Sequence, residues 1–172
     1  MRHRLAGPLT VATAVVALDR VSKVWINRHV SAWDVWPVIQ GYVNIIHAEN
    51  PGMAFSLLAT ASDTVRTFVL IGLASVVLVL VAVMLWRAGG GVEPWALALV
   101  LGGAVGNLWD RVARGTVTDF VDLYFRDWHW ATFNVADSAI TAGAILLGWH
   151  MLTTAAPPKE RAKEGEPAAR VP

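Results

Sequence analysis

The strongest constraint on this chain is Phe68–Trp86, FVLIGLASVVLVLVAVMLW, nineteen consecutive residues without a charge. As a helix the run measures about 28 Å, close to the roughly 30 Å hydrocarbon core of a bilayer. No polar face interrupts it, so it reads as a lipid-facing span rather than the amphipathic helix of a soluble core. Three other apolar stretches accompany it. Leu5–Leu18 extends through Asp19, Arg20 and Lys23 to Trp25-Ile26, Trp95–Trp109 follows a proline, and Val135–Thr154 is interrupted near its start only by Asp137. Of the 172 residues only 16% are charged, against about 25% in an average soluble domain, which again points to a membrane. The pattern predicts a membrane all-α fold, a bundle of four transmembrane helices over about 5–26, 66–86, 94–113 and 135–154. The first run follows MRHR as a signal peptide would. No small-residue cleavage site comes after it, and it ends in LDRVSK, so it reads as a retained helix.

Residues of about 27–62 are too polar to span. Gln40–Asn50 is β-like, with Val43, Ile45 and Ile46 near a Pro-Gly turn at 51–52. Trp33, Trp36 and Tyr42 suit the headgroup zone, where amphipathic rings sit. This predicts a small extracytoplasmic β-sheet and loop cap lying on the outer surface. Residues 155–172 are polar and Pro-rich, the composition of a disordered tail, which leaves 1–154 as a single integral membrane domain. Four spans put both termini on one side. The basic residues divide seven against seven between the two sides, so the positive-inside rule leaves the orientation open. The short flanks of the first and last helices lean toward cytoplasmic termini. A net charge of +1 excludes a strongly electrostatic reader of nucleic acid. The absence of cysteine excludes a disulfide, a thiol nucleophile and a cysteine metal site.

With termini inside, the third helix ends outside and the fourth begins there. Asp110, Asp119, Asp122, Asp127 and Asp137 then gather at one membrane face, with Asp19 and Lys23 from the first helix. Ionisable groups in such a place are functional candidates by default, yet each has a structural reading. Asp110 lies four residues before Arg114, a helical ion pair. Asn134 and Asp137 have the spacing of a capping box. Asp122 and Asp127 sit in a charged connector and read as solvated. Gly102-Gly103-Ala104-Val105-Gly106 has the small-residue spacing of close helix packing. His47 and His129 are isolated and lack partners at metal-ligand spacing, and no serine nucleophile set or phosphate loop is evident. The sharpest chemistry left is a pair of carboxylates, one holding a proton while the other takes a proton from water. That is aspartyl peptidase chemistry. A small proton-linked transporter or adaptor is the alternative, but it would want ionisable residues along a path through the bundle, and the second span has none.

The blocks GNLWDRVARGTVTDF and FNVADSAI resemble two signature blocks of the lipoprotein signal peptidase family, also called signal peptidase II. LDRVSK and NPGMAFSLL are similar to its other two, and the four stand in the family's order between about 19 and 140. The resemblance implies a bacterial cytoplasmic (inner) membrane aspartyl endopeptidase with four spans, a small extracytoplasmic sheet and both termini cytoplasmic. Its substrate would be a prolipoprotein whose cysteine carries diacylglycerol, cut on the N-terminal side of that cysteine near the extracytoplasmic face. It implies Asp119 and Asp137 as the catalytic pair, and Asn50, Asn107, Asp110, Arg111, Asn134, Asp19 and Lys23 as residues that shape the site or hold substrate. No metal or organic cofactor is implied. The partners are the lipid-modified substrate and membrane lipid, with no nucleic acid, and the enzyme is expected as a monomer. The chain departs from many relatives at Pro51-Gly52-Met53, Trp109 and Ala131, and none of these changes removes a carboxylate.

Overall fold

The computed structural model describes residues 2–52 and 62–154. The expected tail at 155–172, and the part of the NPGMAFSLL block beyond Gly52, lie outside the described residues. Among the described residues, four helices and four strands follow in order: α1 Arg2–His29, β1 Val35–Ile39, β2 Val43–Asn50, α2 Asp63–Arg87, α3 Glu93–Arg114, β3 Val117–Phe125, β4 Trp128–His129 and α4 Val135–Thr154. The fold is mostly helical with one small antiparallel sheet.

Helix α3 is the axis of the packing, touching α1, α2 and α4. Its small residues explain why. A Cβ on Gly102 would lie 2.7 Å from the Ala12 carbonyl oxygen of α1, and one on Gly103 would strike the Ala136 carbonyl oxygen of α4. Glycine lets three backbones approach where any side chain would hold them apart. Pro94, within the first turn of α3, costs no intrahelical hydrogen bond there. At the other end Gly115 takes φ +80 as a left-handed cap, and its N–H donates to the Arg111 carbonyl. That turn sends the chain directly into β3.

Among the described residues, two helices, α2 over Thr64–Arg87 and α4, are long and apolar enough to cross a bilayer. Helices α1 and α3 are long enough at 28 and 22 residues, but each carries several charges toward its C-terminal end. On α2 the apolar side chains Phe68, Val76, Leu80 and Trp86 are exposed, as a lipid-facing helix requires.

The sheet differs from the expectation. It is not confined to 27–62, because α1 continues to His29 and only β1 and β2 come from that segment. The order is β1-β2-β3-β4, and half the strands come from the connector between α3 and α4. Val117, Phe120 and Thr118 in β3 are buried, so its charged residues had masked a strand. Asp122 is the clearest correction. It is buried, not solvated, and accepts hydrogen bonds from Asn44 Nδ2 at 3.0 Å and, at 2.9 Å, from His129 Nδ1. His129 is therefore not isolated, nor is His47, whose ring nitrogens face the Val30 carbonyl oxygen and a Glu49 carboxylate oxygen. Asp127 is exposed, as expected.

Candidate active site

Asp119 lies on β3 and Asp137 in the first turn of α4, and the cap of that helix brings them together. Asn134 precedes α4. Its side-chain oxygen accepts from the Asp137 N–H at 2.9 Å, and Asp137 Oδ2 accepts from the Asn134 N–H at 3.2 Å. This reciprocal capping box satisfies two N–H groups that the helix cannot. The Asn134 amide is left to donate to Asp119 Oδ1 at 2.7 Å. One asparagine therefore binds both carboxylates. On the far side of Asp119, Asn50 Nδ2 donates to Oδ2 at 2.9 Å, while Asn50 Oδ1 accepts from the Gly52 N–H. The β2–β3 pairing opposes Asn50 to Val117 and Ala48 to Asp119, which holds the amide near the carboxylate.

Asn107 of α3 supplies the other support. Its Nδ2 donates to Asp137 Oδ1 at 2.7 Å, and its Oδ1 accepts from Lys23 Nζ at 3.0 Å and from Asn134 Nδ2 at 3.2 Å. Behind it stands a buried ion cluster. Lys23 Nζ lies 3.0 Å from Asp19 Oδ1 and 2.8 Å from Asp110 Oδ2. Arg20 Nη2 lies 2.7 Å from Asp110 Oδ1 and 3.2 Å from Asp19 Oδ2. Asp19, Lys23, Asp110 and Asn134 are completely buried. Charges this dry persist only when paired and hydrogen-bonded, and here α1 and α3 pair them. Asp19 Oδ1 also accepts the Ala136 N–H at 3.1 Å, so α1 places a carboxylate at the positive end of α4.

The two central carboxylates differ. Asp119 is almost fully buried, whereas Asp137 is partly open to solvent. Burial first, and the charge of Asp137 as well, push the Asp119 carboxyl up to about 6, against the opposing hydrogen bonds from Asn50 and Asn134. Arg111 is within electrostatic reach of Asp137, Asp119 and Asp110, and its Nη1 donates to the Asn107 carbonyl oxygen at 3.4 Å.

The structure thus brings Asp119, Asp137, Asn50, Asn107, Asp110, Arg111, Asn134, Asp19 and Lys23 into one connected cluster. Four further residues border it: Arg20, Glu49 and Thr118, which the sequence did not single out as site residues, and Arg114, read there only as the helical partner of Asp110. Arg114 Nη2 donates to Thr118 Oγ1 at 2.8 Å as well as to Asp110, and Glu49 receives Thr116 Oγ1–H and lies near Arg114. A signal existed for Arg20, which sits between Asp19 and Lys23. Glu49 and Thr118 gave none, since a cross-strand pair has no fixed sequence spacing.

Residues 11–153 match the family model described as Signal peptidase (SPase) II. A protein of Solibacter usitatus named lipoprotein signal peptidase is 48% identical over 80% of this chain and 85% of its own length. One of the same name from Yersinia pseudotuberculosis is 43% identical over 81% and 82%. Two solved structures, described as bacterial membrane enzymes determined by the in meso method, have the same fold. The first superposes with a TM-score of 0.79 at 27% identity over 90% of this chain and 93% of its own, and the second with 0.75 at 28% over 86% and 93%. On sequence, fold and coverage together, this chain belongs to the signal peptidase II family.

Proposed function

We propose that this protein is a membrane aspartyl endopeptidase that removes the signal peptide from diacylglyceryl-modified prolipoproteins, cutting on the N-terminal side of the lipidated cysteine. The observation that carries the reading is Asn134 binding Asp119 and Asp137 at once. Two carboxylates held that way, one dry and one partly open, are suited to activating a water between them. Asp137, in the first turn of α4, accepts the proton of the attacking water. Asp119, the carboxyl pushed up to about 6, carries the shared proton, donates a hydrogen bond to the developing oxyanion and then protonates the leaving amine. The macroscopic titrations belong to the pair. Asn50, Asn107 and Asn134 hold the carboxylates in register, Asp19, Lys23 and Asp110 hold those amides, and Arg111 faces substrate carbonyls or a lipid headgroup. The chemistry draws on no metal or organic cofactor.

In this reading residues 1–154 form one domain in the bacterial inner membrane. All four helices cross, with α1 and α3 placing their charged ends at the extracytoplasmic face beside the sheet and both termini in the cytoplasm. The enzyme acts as a monomer, and acyl chains and the signal-peptide helix reach it laterally from the lipid. The test is processing of a diacylglyceryl-modified prolipoprotein by Asp119→Asn and Asp137→Asn variants in reconstituted membrane. Each is expected to abolish cleavage, and normal processing by either rules out the pair. A proton-linked transporter would also lose function in these variants, but the wild-type protein would then release no peptide.

A further inference from the structure

We propose that Arg114 is a positioning residue for Asp119, a guanidinium at the end of α3 that clamps the two strands beside that carboxylate onto the buried ion cluster. The proposal rests on the reading of Asp119 as a catalytic group. Arg114 is the last residue of α3. Its Nη2 lies 3.1 Å from Asp110 Oδ1 and 2.8 Å from Thr118 Oγ1, and its Nη1 lies 3.8 Å from Glu49 Oε1. One end of this fork is fixed, because Asp110 is completely buried and already held by Lys23 and Arg20.

The other contacts, a hydrogen bond to Thr118 and an ion-pair approach to Glu49, reach the immediate neighbours of the residues that matter. Thr118 precedes Asp119, is completely buried, and offers its carbonyl oxygen to Asn134 Nδ2 at 3.4 Å. Glu49 precedes Asn50, whose amide donates to Asp119. Glu49 and Thr118 are cross-strand partners in the β2–β3 ladder. A planar guanidinium with several donors in fixed directions can donate to Asp110 and Thr118 while its charge stays within ion-pair distance of Glu49, which an ammonium does less well. Read alone, Asp110 and Arg114 are an ordinary pair four residues apart on a helix. Such a pair contributes little to stability when its arginine is partly exposed, and the cluster keeps Lys23 and Arg20 without it. The contacts to Thr118 and Glu49 have a different effect, since they set where β3 and β2 stand relative to α3.

The test is steady-state cleavage of a diacylglyceryl-modified prolipoprotein peptide by R114M and R114K in detergent micelles, across pH, with thermal unfolding of each. A displacement of about 1 Å at a reacting group can cost about 100-fold. R114M is expected to lower kcat by about 10- to 100-fold with KM within about twofold, and R114K to fall between it and wild type. The limb of the pH profile that follows Asp119 moves to higher pH, because loosened Asn50 and Asn134 hydrogen bonds no longer hold that titration down. The melting midpoint stays near that of wild type. A wild-type kcat in R114M, or a fall in kcat with no displacement of that limb, overturns the clamp. Should R114M not fold, R114K decides: a lower kcat with a displaced limb supports the clamp, and wild-type values of both overturn it. Normal processing by D119N would remove the reading of Asp119 itself, whereas an inactive D119N beside a fully active R114M removes only the clamp.

Discussion

Lys23 Nζ lies 3.0 Å from Asn107 Oδ1, and this contact determines which end of the Asn107 amide meets Asp137. An ammonium only donates, so it takes the amide oxygen and leaves Nδ2 to donate to Asp137 Oδ1 at 2.7 Å. A residue on α1 thereby orients a residue on α3 toward a carboxylate on α4.

Lys23→Met removes that orientation and strips Asp19 and Asp110 of their shared cation. Removing one partner of a buried ion pair costs about 3–5 kcal/mol, softened here because Arg20 still reaches both carboxylates. Chemical unfolding in micelles should show a loss of at least about 2 kcal/mol on that scale. Cleavage should fall even at temperatures where the variant remains folded. A stable, fully active K23M would show that Asn107 needs no orienting partner.

Asp119 links activity to stability. Its carboxyl is pushed up from the usual 3.8 to about 6, so between those values the folded protein binds more protons than the unfolded chain. Stability through this group is therefore full below about pH 4 and declines as pH rises through about 6. Asp119→Asn removes the ionisation and should unfold at higher temperature than wild type at pH 7, on the order of 2 kcal/mol. The difference should close toward pH 4. Under the proposed mechanism, in which Asp119 donates the proton, kcat/KM of the wild-type protein is expected to decline above about pH 6. A D119N melting curve below wild type at pH 7 would contradict the buried, destabilised carboxyl.

Asp122 is buried and bonded, yet its partners Asn44 and His129 belong to the sheet rather than to the Asp119–Asp137 cluster. Asp122→Asn should retain most cleavage activity and lose about 1.5–3 kcal/mol of stability, the worth of a hydrogen bond to a charged group. An inactive but folded D122N would mean that the wrong carboxylate had been paired with Asp137.

Gly106 has almost no room. A Cβ there would stand 2.6 Å from Asp19 Oδ2 and 3.3 Å from the Ala136 side chain. Asp19 cannot yield easily, because Lys23, Arg20 and the Ala136 N–H all hold it. Gly106→Ala should destabilise by about 1–3 kcal/mol, the usual cost of overpacking. It should also lower activity by moving Asp19 off the start of α4. Unfolding and cleavage measured on the same preparation check both effects.

Much of the architecture was readable because apolar length is a local property. The expected helix over 135–154 coincides with α4, and those over 66–86 and 94–113 lie inside α2 and α3. The capping box at Asn134 was likewise legible, since it follows from contacts a few residues apart. Strand β3 was not. Its text VTDFVDLYF carries two aspartates, and only pairing with β2 and cover from the helices bury it. Asp122 was misplaced for the same reason, as Asn44, which binds it, lies 78 residues away.

The sequence by itself determined a membrane chain with charges gathered beyond the ends of its apolar runs, and through its four blocks it pointed to a family. It could not say which charge meets which. Tertiary structure decided that Lys23 satisfies Asp19, Asp110 and Asn107 together, and that Asn134 lies between Asp119 and Asp137. The physical reason is that hydropathy sums along the chain. A buried ion or amide is stabilised only by partners at about 3 Å in space, and those partners come from α1, α3, β2, β3 and α4 only once the glycines of α3 have let the helices close.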